Sequence, residues 1–135
     1  MKTHEILVVD DTPDCLAVIG GMLEAYGLRV RRAEGGQEAL DQIVAHAPDV
    51  VLLDVMMPDM SGLDVLERLR SNPTTARLPV ILVTANSDDD QVMAGYQGGA
   101  DYYVTKPFTT RQLVHGIALV LGETDLAAPP SSAAA

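Results

Sequence analysis

The residues of this sequence best suited to chemistry stand directly after short aliphatic runs. Asp10 and Asp11 follow the first run, Asp54 follows a Val-Val-Leu-Leu run, and Thr84 and Lys106 come after two later ones. Each alone is unremarkable, because a single acid in such a place usually just caps a helix. If the runs are strands of one parallel sheet, however, their carboxyl ends meet at one edge. We therefore predict that these five side chains gather there.

Three carboxylates at one edge would repel, because two unit charges about 4 Å apart cost roughly 4 kcal/mol at an effective dielectric of 20. A cation would relieve this, and oxygen ligands at an open, hydrated edge favour Mg²⁺, with Mn²⁺ as a possible substitute. Lys106 would add positive charge and Thr84 a hydroxyl. The set suits attack by Asp54 on phosphorus to give an aspartyl phosphate, with the other groups around the moving oxygens.

Hydrophobic periodicity predicts the elements that hold this edge. Five apolar runs predict strands, and the arginine-rich second run suits the margin of the sheet; the runs are 6–9, 28–33, 50–53, 80–83 and 102–105. Helical patterns alternate with them and stop at Gly27, Pro48, Asn72-Pro73 and Gly98-Gly99, and the last helix runs to Leu121. Repeated strand–helix units require right-handed crossovers. We predict an α/β fold: a flavodoxin-like, doubly wound five-stranded parallel sheet of order 2-1-3-4-5 in a (βα)5 three-layer sandwich.

The length and composition of the chain limit the number of domains and the kinds of partner that it can bind. With 135 residues, 47% of them hydrophobic, we expect one domain at 1–122 and a flexible tail, or the start of a linker, in the Ala-, Pro- and Ser-rich segment 123–135. The net charge of −10 argues against direct nucleic-acid binding. No apolar run approaches the length of a membrane span, so no membrane association is expected. A single cysteine, Cys15, excludes an internal disulfide, is expected to pack as a small hydrophobe, and fits a reducing cytoplasmic setting.

Taken together, the motifs resemble the receiver domain of two-component response regulators, and in particular the chemotaxis regulators. The resemblance spans about residues 6–121. Each motif is short, but all occur in order and at predicted strand ends. They are Asp10-Asp11, Asp54 with Met57-Pro58 and Gly62, Thr84-Ala85, Gly99-Ala100-Asp101 and Lys106-Pro107-Phe108.

This resemblance implies roles for individual residues. Asp54 would accept phosphate from a phosphohistidine on a sensor histidine kinase or a phosphotransfer protein. Asp11, Asp54 and the backbone carbonyl of Met56 would hold the metal directly, and Asp10 would act mainly through water. Lys106 would pair with the phosphate. The chain would then be no conventional enzyme, but would catalyse its own phosphorylation on Asp54 and its own dephosphorylation.

The resemblance also implies an output. Thr84 would move toward the phosphate and Tyr103 would turn inward, altering the face formed by the fourth helix, fifth strand and fifth helix. That face would bind a downstream protein, an effector domain beyond this sequence, or a second copy of the chain in a homodimer. Tyr102 points to the opposite side of the sheet, because side chains alternate along a strand, and is the weaker switch candidate.

Several simpler interpretations use the same residues. Lys106 could be a solvated turn lysine, Thr84 a hydroxyl that satisfies the backbone, and Tyr103 a packing residue. A phosphate-independent receiver-like module would keep the fold and bind partners without chemistry. A phosphatase that works through an aspartyl phosphate is a further alternative. Such an enzyme would need a second acid two residues after a nucleophile on the first strand. Asp10-Asp11-Thr12 lacks that spacing, which argues against this alternative.

Two residues flank the expected path of hydrolytic water. Met56 is two residues past Asp54, and Asn86 is two past Thr84. We hypothesise that the apolar side chain of Met56 slows the loss of phosphate relative to a polar residue there.

Overall fold

A computed structural model, which describes residues 4–85 and 89–122, contains five strands alternating with five helices in those residues. In chain order the elements are β1 (Glu5–Val9), α1 (Pro13–Glu24), β2 (Arg29–Ala33), α2 (Gly36–Ala45), β3 (Val50–Asp54), α3 (Gly62–Ser71), β4 (Val80–Thr84), α4 (Asp89–Gln97), β5 (Tyr102–Thr105) and α5 (Thr110–Leu121). The strands pair in parallel in the order β2-β1-β3-β4-β5. The predicted flavodoxin-like sheet is confirmed.

Helices cover both faces of the sheet, so the residues of each strand alternate between two apolar cores. The first core, on the side of α1 and α5, includes Ile6, Leu52 and Ile117. The second core, on the side of α2 and α3, includes Leu7 and Leu53. Strands β3 and β4 are buried along their whole length, which explains their unbroken aliphatic runs. The arginine-rich β2 lies at an edge, as its sequence predicts.

The end of α1 differs from the prediction, and the start of α1 is tied to β1. Regular helix ends at Glu24, three residues before the predicted stop, because a tighter turn continues the chain to Gly27, whose φ of 81° reverses it. Thr12 occupies the N-cap position, but its hydroxyl makes no capping hydrogen bond. Its backbone N–H instead donates to Oδ1 of Asp10 at 2.9 Å, which ties the helix start to the end of β1.

Some predicted features lie outside the described residues. These are Asn86 and the tail at 123–135. Across the helices that the structure describes, none combines the length and apolar character needed to cross a bilayer.

The turn after β3 depends on a close approach of backbone at Gly62. The N–H of Gly62 donates to the carbonyl of Val55 at 2.9 Å, closing the loop at residues 55–61. A Cβ on Gly62 would lie 2.3 Å from the carbonyl oxygen of Asp54 and 2.8 Å from Cα of Val55. Both neighbours are backbone atoms, which cannot move without displacing β3. The turn therefore requires glycine there, as its motif position suggests.

We predict that Gly62→Ala destabilises the fold by about 3 kcal/mol, because the added methyl overpacks against backbone. Gly21→Ala is the matched control, since a Cβ on Gly21, in α1, meets nothing within 4 Å. The control should match the parent or gain up to about 1 kcal/mol from better helix propensity. Urea denaturation measures both, and equal stability of the two variants would show that the turn tolerates a side chain.

Candidate functional site

The structure places the five predicted residues at one edge of the sheet. Asp54 is the last residue of β3 and Thr84 the last of β4, while Asp10 and Asp11 follow β1 and Lys106 follows β5. Parallel pairing keeps these ends level: in the register, Val9 lies opposite Leu53, and Thr84 lies opposite Thr105. The gathering predicted from strand ends is therefore what the topology produces.

A cluster of three carboxylates forms the centre of the edge. One oxygen from each of Asp10, Asp11 and Asp54 lies within 4.8 Å of the others. Asp10 and Asp54 are buried, whereas Asp11 is exposed. Oδ1 of Asp54 accepts a hydrogen bond from the backbone N–H of Met56 at 3.2 Å. Two of the three negative charges are thus held where little water reaches them, which favours a bound cation.

Lys106 enters this cluster and neutralises part of its charge. Its Nζ lies 2.9 Å from Oδ2 of Asp10 and 3.8 Å from Oδ2 of Asp54. Only 23% of the Lys106 side chain is exposed, so solvent screens these contacts weakly. Nζ also donates to Sγ of Cys15 at 3.9 Å. The amine is positioned by an acid on one side and stands beside the second acid, Asp54.

The pKa values of the central pair reflect this environment. Burial raises the pKa of Asp54; Lys106 and the N–H of Met56 oppose the rise, and the charges of Asp10 and Asp11 add to it. Burial lowers the pKa of Lys106, but its hydrogen bond to Asp10 and the charges of Asp54 and Asp10 outweigh burial, so its pKa is raised. The amine therefore stays charged, while ionisation of Asp54 is costly without a further cation.

The two acids after β1 differ in whether their oxygens already have hydrogen-bond or ion-pair partners. Both oxygens of Asp10 are engaged, Oδ2 by Lys106 and Oδ1 by the N–H of Thr12. Asp11 is exposed to solvent and contributes an oxygen to the cluster. Carboxylate and backbone oxygens are the donors that Mg²⁺ prefers, so the residues present fit such an ion. The thioether of Met56, 62% exposed, does not suit a hard cation.

Thr84 and Tyr103 lie on the strands beyond Asp54. Thr84 is fully buried, and its carbonyl accepts a hydrogen bond from the N–H of Lys106 at 2.7 Å. Tyr103 packs against the second core, and its ring centroid lies 6.4 Å from that of Tyr96 on α4. Tyr102 packs against the first core, so the two tyrosines face opposite sides of the sheet as predicted.

Two contacts near the site were not predicted from the sequence. Cys15 is half-buried and touches the site lysine, whereas its helical pattern indicates only a packing residue. Asp59, in the loop after Asp54, binds the backbone at the start of α2. A signal for the second contact does exist: α2 starts at Gly35-Gly36, which has no capping side chain of its own.

Comparison of the sequence with known proteins identifies a family whose members resemble this chain. The sequence profile of the response regulator receiver domain matches residues 6–118. The phosphate regulon transcriptional regulatory protein PhoB of Pseudomonas aeruginosa is 40% identical over 124 residues, which cover 92% of this chain and 54% of PhoB. The alkaline phosphatase synthesis transcriptional regulatory protein PhoP of Bacillus subtilis is 35% identical over 127 residues, 94% of this chain and 52% of PhoP. This chain thus spans about half the length of these two relatives.

Solved structures agree with this match. The chemotaxis protein CheY4 of Vibrio cholerae superposes with a TM-score of 0.84 at 27% identity, covering 89% of this chain and 100% of that one. The receiver domain of the Francisella response regulator 1452 gives 0.83 at 30% identity, covering 89% and 98%. The profile match spans most of the chain and includes the strand ends that carry the acid cluster. The chain therefore belongs to the receiver domain family of two-component response regulators.

Proposed function

We propose that this chain is a phosphoacceptor signalling domain in which Asp54 receives a phosphoryl group from a phosphohistidine of a sensor histidine kinase or a phosphotransfer protein. The observation that carries the proposal is the packing of Asp10, Asp11 and Asp54 within 4.8 Å, with Lys106 Nζ 3.8 Å from Asp54. Few purely structural arrangements bring three carboxylates together with two of them buried, because their repulsion costs stability.

In the proposed transfer, an oxygen of Asp54 forms a bond to phosphorus as the P–N bond of the donor breaks, and the imidazole leaves with that electron pair. Mg²⁺, or Mn²⁺ in its place, supplies positive charge for the phosphoryl oxygens when bound. Asp11, Asp54 and the carbonyl of Met56 would hold the ion, with Asp10 acting through water. Lys106, already fixed by Asp10, would pair with a phosphoryl oxygen.

Such a domain is a catalyst only toward itself. The acid cluster, Lys106 and the hydroxyl of Thr84 would promote both phosphorylation of Asp54 and its later hydrolysis. Small phosphodonors should therefore serve without the kinase, since the positioning groups all lie on this chain.

The output of the proposed switch lies at the face of α4, β5 and α5. Thr84 would move toward the phosphoryl group, and Tyr103 would follow, which changes its packing with Tyr96. The exposed apolar side chains Met93 and Tyr96 on α4 and Leu119 on α5 offer contacts for a downstream protein, an effector domain or a second copy of the chain.

The proposal also covers the domain bounds of this chain and its place in the cell. We assign residues 1–122 to the receiver domain and 123–135 to a tail or linker, acting in the cytoplasm without direct binding to nucleic acid or membrane. PhoB and PhoP are named as transcriptional regulators and are about twice as long as the matched region. An effector domain joined through such a linker would fit that length.

The phosphoacceptor role predicts a site-specific covalent adduct. Incubation with acetyl phosphate and Mg²⁺ should add one phosphoryl group to the wild type, and intact mass spectrometry reads it. Asp54→Asn and EDTA-treated protein should stay unmodified, Lys106→Ala should label about a hundredfold more slowly, and the surface control Asp41→Asn should label normally. A wild type that never labels would favour the phosphate-independent interaction module.

Repulsion in the cluster predicts that Asp54→Asn is more stable than the wild type in EDTA at pH 7, by about 1–2 kcal/mol, because a buried charge is removed without loss of volume. Added Mg²⁺ at about 100 times its Kd should stabilise the wild type by about 2.7 kcal/mol and the variant less. Urea denaturation of both proteins, with Asp41→Asn as control, tests this. A variant less stable than the wild type in EDTA would contradict the proposed repulsion.

Exposure of Met56 beside the acceptor predicts an effect on the lifetime of the phosphate. Met56→Asn should shorten the lifetime severalfold, because an amide can hydrogen-bond and orient a water that the thioether leaves unbound. Met56→Leu, which keeps the size and polarity class, should match the wild type. The decay of labelled protein followed by intact mass gives the lifetimes, and equal values for all three proteins would remove the idea.

A further inference from the structure

The loop between β3 and α3, residues 55–61, is bonded to the start of α2 through one side chain. Oδ1 of Asp59 accepts a hydrogen bond from the N–H of Gly36 at 3.2 Å, and Oδ2 accepts one from the N–H of Gln37 at 3.2 Å. These two donors are the first N–H groups of α2, which have no partner within the helix. The carboxylate thus joins the loop that follows the phosphoacceptor to a helix 23 positions earlier in the chain.

Helix α2 has no cap of its own, and Asp59 supplies one from outside. The N-cap residue is Gly35, which has no side chain to offer. A carboxylate at this end of a helix also interacts favourably with the helix dipole. In agreement, the pKa of Asp59 is lowered, first by the N–H of Gln37 and then by that of Gly36.

The two glycines at the start of α2 let the loop lie close. A Cβ on Gly35 would sit 3.0 Å from both carboxylate oxygens of Asp59. A Cβ on Gly36 would sit 2.9 Å from Cβ of Met60 and from Cγ2 of Val65. Residues of the loop and of α3 fill the space that side chains on these glycines would otherwise occupy, so the start of α2 lies in direct contact with the loop.

The same loop carries the backbone of Met56. Its ends are fixed by the bond from the N–H of Met56 to Asp54 and by the bond from the N–H of Gly62 to Val55. Along the loop, Val55, Met57 and Met60 pack against the second core, which sets how deeply the loop lies. Packing of this kind is not directional. The two hydrogen bonds of Asp59 are directional, so they orient the loop along the helix, although the carboxylate is exposed to solvent and both bonds are 3.2 Å long.

We propose that Asp59 is a positioning residue, which holds the loop after Asp54 against α2 and so keeps the Met56 carbonyl where a cation beside Asp54 can use it. This rests on the proposed function, because it assumes that the cation site includes Met56. The competing explanation is that Asp59 only caps α2 and affects stability alone.

A pair of variants separates these two roles. Asp59→Ala removes both the cap and the tie to the loop. Adding Gly35→Ser restores a cap, because a serine at the N-cap can accept from the N–H groups of Gln37 or Glu38. The extended backbone of Gly35 accommodates serine, and the oxygens that crowd its Cβ are absent once Asp59 is alanine. The double variant therefore has a capped helix and an untied loop.

Two readouts apply to wild type, Asp59→Ala and Asp59→Ala/Gly35→Ser. Amide hydrogen exchange without metal reports the opening of α2 and of the loop separately. Calorimetric titration with Mg²⁺ reports cation binding directly and suits a chain without tryptophan. Asp64→Ala is the charge-matched control, since it removes an exposed acid from the first turn of α3.

We expect Asp59→Ala to exchange faster at both α2 and the loop and to bind Mg²⁺ about tenfold more weakly, the lower end for groups that orient metal ligands. The double variant should regain wild-type exchange at α2 while its loop amides stay fast and its Mg²⁺ affinity stays low. Asp64→Ala should bind Mg²⁺ like the wild type. If Asp59→Ala folds poorly, Asp59→Asn, which keeps one acceptor, should fall between wild type and Asp59→Ala in both readouts.

Recovery of wild-type Mg²⁺ affinity in the double variant would overturn the proposal and leave Asp59 as a helix cap only. Unchanged affinity in Asp59→Ala, or an equal loss in Asp64→Ala, would overturn it as well. A wild type that binds Mg²⁺ but takes no phosphoryl label would refute the phosphoacceptor function alone. A wild type that binds no Mg²⁺ would refute both proposals.

Discussion

Repulsion among Asp10, Asp11 and Asp54 is the constraint on which the rest of the site depends. Their oxygens approach within 4.8 Å at an edge where two of the three residues are buried, so the fold must supply compensating charge. Lys106 supplies part of it through its 2.9 Å contact with Asp10. One amine cannot balance three carboxylates, and the remaining excess of negative charge favours a bound cation. In the proposed function, that cation and Lys106 would together offset the negative oxygens of an incoming phosphoryl group.

The sheet can impose this repulsion because its central strands are held on both sides. Strand β3 is buried along its length between two cores, so Asp54 cannot retreat into solvent without disrupting packing on both faces. The loops that follow the strands are less constrained, and individual polar contacts set their positions. Lys106 is held by Asp10, and the loop after Asp54 is held by Asp59. The sheet therefore fixes the position of Asp54, and individual polar contacts position the loops around it.

Much of this could be predicted from the sequence, because the relevant signals are periodic or local. Unbroken aliphatic runs identify buried parallel strands, and their order places Asp10, Asp54 and Lys106 at one edge. Contacts made by loop residues leave no such periodic signal in the sequence. Asp101 is an example: the resemblance includes it in a motif, but only the structure gives it a physical role, as acceptor of hydrogen bonds from the N–H of Val80 at 2.9 Å and from Arg70 at 3.0 Å. The contact of Cys15 with Lys106 likewise depends on a distance that no local pattern encodes. For Asp59, the glycines at the start of α2 signal that a cap is missing, but not which residue supplies it.

The central claim is that the three carboxylates form one cation site facing Lys106. Anomalous scattering from crystals grown with Mn²⁺ tests it most directly, because the ion is located without reference to the surrounding atoms. We predict one strong peak at ligand distance from oxygens of Asp11 and Asp54, with the amine of Lys106 on the same edge of the sheet. A peak elsewhere on the acidic surface, with none beside Asp54, would contradict the account.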